Sequence, residues 1–425
     1  MRYEPLSNDL FKRNRAKLQM LLKPNSLAVI NAADAMPRNG DLHFPYRQHS
    51  DLFYLTGITQ EETSLVLLPD GTEILFIIKP EKLRETWEGR KLTEDEASNI
   101  SGIKTIKFIS DFEQELKLLA TKAEYLYLNK NENARYNSVV ATKDDRFICQ
   151  MHDWFPLHHV ERLAPLLCSL RLIKEPEEIE LIEKACSITR DGFLRVLKTV
   201  SAGMKEYELE AELSYEFIRQ GASGHAFETI VASGENACYL HYSKNNQPLV
   251  DGTLVLLDFG SEYALYASDC SRTFPVNGKF TDRQLQVYNA CLEVFLYAQS
   301  IIRPGVSIVD CQKDVCAKME SELIKLGLFT HEDVKKQNPK EPLYRNYFMH
   351  GVSHFMGLDT HDVGDRETIL QPGMVLTCEP GIYILEEKIG VRIENDLLIT
   401  ETGNRDLMAD IPLYPSDIEK RMKER

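Results

Sequence analysis

The chain of 425 residues has no apolar run longer than a strand. Its longest, at 65–68, 74–78 and 254–257, fall far short of the roughly 20 residues that cross a bilayer. It has no excess of positive charge: 65 Asp and Glu outnumber 50 Lys and Arg, for a formal charge of −15. That balance argues against nucleic acid or an anionic membrane surface as the main partner. No CxxC pair occurs among the nine cysteines, an odd number, so reduced thiols in a cytoplasmic protein are expected. The first residues, Met1-Arg-Tyr-Glu-Pro5, lack a hydrophobic signal region, and nothing there points to export. There is no low-complexity tract; 43% hydrophobic and 27% charged residues describe a folded, soluble protein. The length predicts two or three domains.

The first part reads as mixed strands and helices. Ser7 is placed to cap a helix within 1–24, with Lys12, Arg13, Arg15 and Lys17 expected on a solvated surface and Pro24 following it. Strands are expected at 27–30, then in a hairpin of 65–68 and 74–78 turning at Asp70-Gly71. Residues 113–121 read as helix and 125–128 as strand, which together suggest an α/β domain over 1–170. At Arg171-Leu-Ile-Lys174-Glu-Pro176 the character changes, and a second domain, 171–425, is expected. Pro176 with Glu177 and Glu178 marks a helix start, since proline suits the first turn and acids the positive end of the dipole. A helical stripe from Ile179 to Val200 ends at Gly203, and a second helix at about 205–220 stops at Gly221. The order then recurs. Thr281 and Gln284 suit a capping box for a helix to about 302, Pro304-Gly305 breaks it, and another helix runs over about 307–326.

Each pair of helices leads to the same phrase. Gly252-Thr-Leu-Val-Leu-Leu-Asp258-Phe-Gly260 is matched by Gly373-Met-Val-Leu-Thr-Cys-Glu379-Pro-Gly381. A second acid follows each, Asp269 after Asp258 and Glu394 after Glu379. Four carboxylates in apolar, strand-like sequence are costly to bury as bare anions, and a metal pair is the simplest compensating cation. The second domain therefore reads as two copies of helix–helix–strand–strand, packed with the acids at their shared seam. Cys270 and Cys378 adjoin two of these acids, but strand alternation turns them to the opposite face, into the core. Phe348-Met-His350-Gly-Val-Ser-His354-Phe-Met-Gly357-Leu-Asp-Thr-His361-Asp362 supplies the imidazoles. Its i, i+4 histidines would suit a zinc helix, but Gly351 and Gly357 favour a loop or strand. An oxygen-rich set with one imidazole suits Mn²⁺, Co²⁺, Fe²⁺ or Zn²⁺.

His350-Gly-x-Ser-His354-x-x-Gly-Leu-Asp-x-His361-Asp, Thr377-Cys-Glu379-Pro-Gly-Ile-Tyr383 and Gly390-Val-Arg-Ile-Glu394-Asn-Asp resemble the metallopeptidases of the pita-bread fold. Within them, Ser268-Asp269-Cys-Ser-Arg-Thr-Phe-Pro-Val-Asn-Gly278 is similar to the Xaa-Pro aminopeptidases (aminopeptidase P). Arg47-Gln-His-Ser-Asp51-Leu-Phe-Tyr-Leu-Thr-Gly57 and Trp87-Glu-Gly-Arg-Lys-Leu92 resemble their N-terminal domain, so the likeness covers nearly the whole chain. It implies an α+β protein: an N-terminal α/β creatinase-like domain and a C-terminal pita-bread catalytic domain.

The resemblance also implies a site with two divalent ions, Mn²⁺ by family expectation. Asp258 would be a ligand of one ion, His354 and Glu379 of the other, with Asp269 and Glu394 as bridges. His241, in Tyr239-Leu-His-Tyr-Ser, matches a substrate-contacting histidine at the site mouth. His350 and His361 match the pair that holds substrate and stabilises the tetrahedral intermediate. Arg392, two residues from Glu394 and so on the same strand face, matches a residue that buttresses the site. Tyr383 fits an ordinary half-buried strand tyrosine as well as a site residue. The implied reaction is cleavage of the N-terminal Xaa-Pro bond by a metal-bridging hydroxide. Glu379 would shuttle the proton, His361 and a metal ion would stabilise the oxyanion, and the substrate's α-amino group would lie against Asp258.

Relatives commonly assemble through the N-terminal domain, which implies a homodimer or homotetramer with Trp87 near a neighbour's active site. Only Ile-Leu-Glu-Glu-Lys-Ile separates Tyr383 from Gly390, where relatives often carry a longer insertion; this bears on substrate length rather than on chemistry. The rival enzyme is prolidase, which cuts Xaa-Pro dipeptides with the same ligands. Methionine aminopeptidases usually lack the N-terminal domain. Creatinase, or a non-catalytic binding scaffold on this fold, would have lost ligands, whereas all five positions are filled.

Overall fold

In the computed structural model, which describes residues 2–424, the chain forms two units, Tyr3–Arg171 and the chain from Leu172 on. The first opens with helix α1 (Asn8–Leu21), whose cap is Ser7, accepting from the Asp9 N–H. Strands β1 (Ser26–Asn31), β2 (Ser64–Leu67), β3 (Glu73–Ile77), β4 (Thr105–Phe108), β5 (Tyr125–Leu128) and β6 (His159–Arg162) form one sheet in the order β4-β3-β2-β1-β5-β6. The hairpin β2–β3 is antiparallel, as is β1–β2, while β5 and β6 run parallel to β1. Leu27 and Val29 point to one face of β1 and join Val66, Phe76, Leu126 and Phe147 in a buried cluster.

Two features of this unit are less local. The signature segment forms a buried helix, α2 (Ser50–Thr56), where Asp51 accepts from Arg171 and Asn129, each at 2.7 Å. The expectation that Arg15 lies on a solvated face fails: it is 0% exposed. Its Nη1 donates to the carbonyls of Leu55 (2.7 Å) and Ser101 (2.9 Å), and its Nε lies 2.9 Å from Glu73. Leu55 is in the last turn of α2, and Ser101 ends the helix Glu94–Ser101. A guanidinium satisfies the orphan carbonyls and negative dipole ends of both.

The second unit repeats itself. Its first copy is α3 (Pro176–Thr199), α4 (Glu206–Arg219), β7 (Ile230–Ser233), β8 (Leu254–Phe259) and β9 (Cys270–Pro275). Pro176 lies in the first turn of α3, and the Glu178 carboxylate accepts from the Glu175 N–H. The second copy is α5 (Asp282–Ile301), α6 (Ile308–Lys325), β10 (Val375–Cys378), β11 (Gly381–Ile384), β12 (Ile389–Arg392) and β13 (Asn395–Ile399). Thr281 and Gln284 make the expected capping box, and Ser307 caps α6. β8 lies antiparallel between β7 and β9, β10 pairs antiparallel with β13, and β11 with β12 is a hairpin. Among the contacts that join the two copies is an antiparallel bridge between Ser271 and Glu394.

The acids occupy matching places in this frame. Asp258 is the last residue but one of β8 and Glu379 follows β10 by one residue; Asp269 and Glu394 each precede a return strand by one residue. Cys270 and Cys378 are buried in the core, as alternation along the strand predicts. All nine cysteines are free thiols. Among the described residues, no helix is long and apolar enough to cross a membrane.

Candidate active site and metal centre

Ligand atoms of Asp269, His354 and Glu394 lie within 4.8 Å of one another. Glu379 joins them: its Oε1 is 3.7 Å from His354 Nε2, which is 3.5 Å from Asp269 Oδ2. His354 sits in a loop rather than a helix, laced to β10 because its N–H donates to Thr377 Oγ1 and its carbonyl accepts from the Thr377 N–H. His354 Nδ1 is 3.0 Å from the Phe355 carbonyl. A carbonyl only accepts, so the ring proton is on Nδ1 and the lone pair of Nε2 faces the carboxylates.

Asp258 reaches the same cluster through Arg392, at the end of β12. The Arg392 guanidinium donates to Asp258 Oδ2 (2.6 Å), to the Tyr383 hydroxyl (2.8 Å) and to Ser271 Oγ (2.8 Å). Ser271 in turn donates to Glu394 Oε2 at 2.7 Å. Tyr383 is therefore more than a core tyrosine, since its hydroxyl also lies 2.8 Å from His350 Nε2. His350 Nδ1 donates to the Gly351 carbonyl, which leaves Nε2 as the acceptor for Tyr383. Burial and the charge of Arg392 push His350 down to about 3, so the ring is neutral. His361 packs its ring edge-on against His354, with centroids 4.4 Å apart, and is itself exposed. His241 is exposed too, at the rim of the loop that follows β7.

The electrostatics are unbalanced in one direction. Burial holds the Asp269 carboxyl well above its ordinary value, and the charges of Asp258, Asp396 and Glu379 add to the effect. Burial likewise raises Glu394 and Glu379, with neighbouring carboxylates contributing. Two buried oxygens, Asp258 Oδ1 and Asp269 Oδ1, have no hydrogen-bond partner. Carboxylates crowded at this depth, served by one guanidinium and one imidazole lone pair, suit divalent cations with hard oxygen ligands. The residues present fit such a group.

Three participants lie within the sequence motifs, which assign them no role. Asp396, two residues past Glu394, accepts from the Asp269 N–H (3.0 Å) and from Cys186 Sγ (3.4 Å), and burial pushes it up to about 8. Ser271 is two residues past Asp269, and Thr377 is two before Glu379. In each case the signal is the strand period: a polar residue two away from a ligand shares its face.

The comparisons with known proteins place the chain in a family. The profile of metallopeptidase family M24 matches residues 180–401, and that of the aminopeptidase P N-terminal domain matches 11–127. The chain belongs to metallopeptidase family M24. It is 39% identical to the Xaa-Pro aminopeptidase of Escherichia coli K12, with 98% of each chain covered. It is 32% identical to human Xaa-Pro aminopeptidase 3, over 90% of this chain and 78% of that one. Among solved structures, it is similar to zinc-substituted E. coli aminopeptidase P in complex with product, at a TM-score of 0.90 and 37% identity. It is also similar to that enzyme with the inhibitor Pro-Leu, at 0.88 and 38%; in both cases 99% of each chain is covered. This M24 chain is thus a metalloaminopeptidase with the expected two-domain α+β fold, and the likeness favours the Xaa-Pro aminopeptidases over prolidase.

Proposed function

We propose that this M24 chain removes the first residue from peptides with proline at position 2, with two divalent ions, Mn²⁺ by preference, held by Asp258, Asp269, His354, Glu379 and Glu394. The observation that carries the reading is the meeting of acids from both repeats in one buried cluster with two orphan carboxylate oxygens. Bound ions would supply Lewis-acid polarisation of the scissile carbonyl and activation of a water.

The side chains have distinct tasks in this reading. Glu379 takes the proton of the attacking water and returns it to the leaving nitrogen. The leaving proline nitrogen must gain a proton for the C–N bond to break, so cleavage depends on that delivery. His361 donates to the developing oxyanion, and His350, neutral and braced by Tyr383, positions the substrate. His241 contacts the substrate at the mouth, and the α-amino group lies on the Asp258 side. Arg392 is a positioning residue that holds Asp258 directly and Glu394 through Ser271. The N-terminal unit serves assembly, as a homodimer or homotetramer, and substrate access; an 84% exposed Trp87 supports that role. The cytoplasm is the proposed location.

The test is an activity panel with elemental analysis. Wild type loaded with each metal is assayed on an Xaa-Pro dipeptide, a tripeptide and a longer peptide, beside Glu379→Gln and Asp269→Asn. Two ions per chain are expected, with tripeptides cut better than dipeptides and a loss of about 10²-fold or more in kcat for Glu379→Gln with metal retained. Full activity of metal-loaded Glu379→Gln would remove the proton-shuttle assignment.

A further inference from the structure

Glu206, in the first turn of α4, is 0% exposed, and no motif points to it. Its Oε1 accepts from the Ser233 N–H (2.9 Å), the Ser233 hydroxyl (2.7 Å) and the Asn236 amide (3.2 Å). Its Oε2 accepts from the Tyr242 hydroxyl (2.7 Å) and the Gln247 N–H (2.9 Å), while its own N–H donates to the Gln247 carbonyl (3.0 Å). Every one of these partners lies in a single segment, 233–247. Among the described residues, no basic side chain forms an ion pair with Glu206. The donors of that segment are thus gathered on one buried, acceptor-only group.

His241 is in the middle of the clamped segment, exposed between Leu240 and Tyr242. On the far side, Ala237, Leu240 and Tyr242 pack with Tyr383, Leu256 and Ile230 in one apolar cluster. The hairpin β11–β12 presses so close that a Cβ on Gly390 would stand 2.2 Å from the Ala237 carbonyl oxygen. The segment is therefore pinned from two directions, and His241 has little freedom of place. We propose that Glu206 is a positioning residue for substrate binding: it clamps residues 233–247 so that His241 stands at the mouth of the site. This rests on the reading of His241 as a substrate contact. A carboxylate is required because a glutamine would turn an NH₂ group toward the donors on one side.

The test is a mutant cycle on the metal-loaded full chain with an Xaa-Pro-Xaa tripeptide, comparing wild type, Glu206→Gln, His241→Ala and the double variant. Glu206→Gln is expected to raise KM roughly three- to tenfold, with kcat within about twofold and metal content unchanged. In the His241→Ala background the same substitution should add little, because the residue being positioned is gone. Tyr242→Phe removes one clamp donor and leaves the carboxylate, so it carries the same comparison at smaller amplitude if Glu206→Gln fails to fold. Equal effects with and without His241, or an unchanged KM, would overturn the clamp. A wild-type KM in His241→Ala alone would instead remove the substrate-contact reading, and the inference with it.

Discussion

The guanidinium of Arg392 lies 2.6 Å from the carboxylate of Asp258, although 134 residues separate them in the chain. The contact ties the end of the second repeat's hairpin to the acid of the first, and Ser271 extends it to Glu394. Arg392 is buried, and the Asp258 and Glu394 carboxylates and the Tyr383 hydroxyl hold its proton firmly against the effect of burial.

Arg392→Met should therefore act on stability through charge balance as well as packing. Removing one member of a buried ion pair costs on the order of 3–5 kcal/mol, because the remaining anion is left uncompensated. Cations in the site would offset part of that loss. Urea unfolding with EDTA and with Mn²⁺ should show the larger destabilisation in EDTA; equal losses would mean that the guanidinium and the metal do not share the same carboxylates.

Tyr383→Phe deletes the hydroxyl that lies between His350 and Arg392. The stability loss should be about 1–2 kcal/mol, the range for leaving buried hydrogen-bonding partners unmet. Steady-state kinetics should show kcat reduced by roughly tenfold as His350 loses its brace. An unchanged kcat would return Tyr383 to the role of a packed core residue.

Metal removal should lower the melting temperature, and Mn²⁺ should restore it. A ligand that binds only the folded state at about 100 times its Kd adds roughly 2.7 kcal/mol. Asp269→Asn, which removes a carboxylate from the centre of the cluster, should respond weakly to Mn²⁺ in the same calorimetric scan. A full response in that variant would place the ion elsewhere.

Glu178 offers a pH dependence away from the metal ligands. It is wholly buried, with the Tyr266 hydroxyl and the Glu175 N–H as donors, and burial raises its pKa from 4.5 to about 7. The folded state therefore holds the proton more tightly than the unfolded chain does. The resulting penalty is absent below the ordinary carboxylate range and complete above about pH 7. Relative to Glu178→Gln, wild type should lose on the order of 3 kcal/mol of stability between about pH 4 and pH 8. Parallel unfolding curves for the two proteins across that range would contradict the assignment.

Much of this arrangement was legible before any folding. The capping box of Thr281 and Gln284, the proline start at Pro176 and the strand at Tyr125–Leu128 are local patterns, and each stands where its chemistry places it. The repeated glycine–acid phrase picked out the carboxylates because burying several anions in strands is costly in any fold. Arg15 shows the limit. Its neighbours on α1 suggest a solvated face, yet two helix ends from distant parts of the unit supply carbonyls that its guanidinium meets.

Residue type and spacing thus singled out acids that the structure gathers into one cluster, since strand period, helix caps and the cost of buried charge all operate over a few residues. The partnerships had to wait for packing: Arg392 with Asp258, Asp396 beneath Asp269, Tyr383 between His350 and Arg392, Glu206 around the His241 segment. Each depends on which backbone surfaces meet across more than a few turns of chain. Nothing in local propensity encodes that, because the hydrogen bonds exist only once segments distant in the chain, within one repeat or across the two, have packed together.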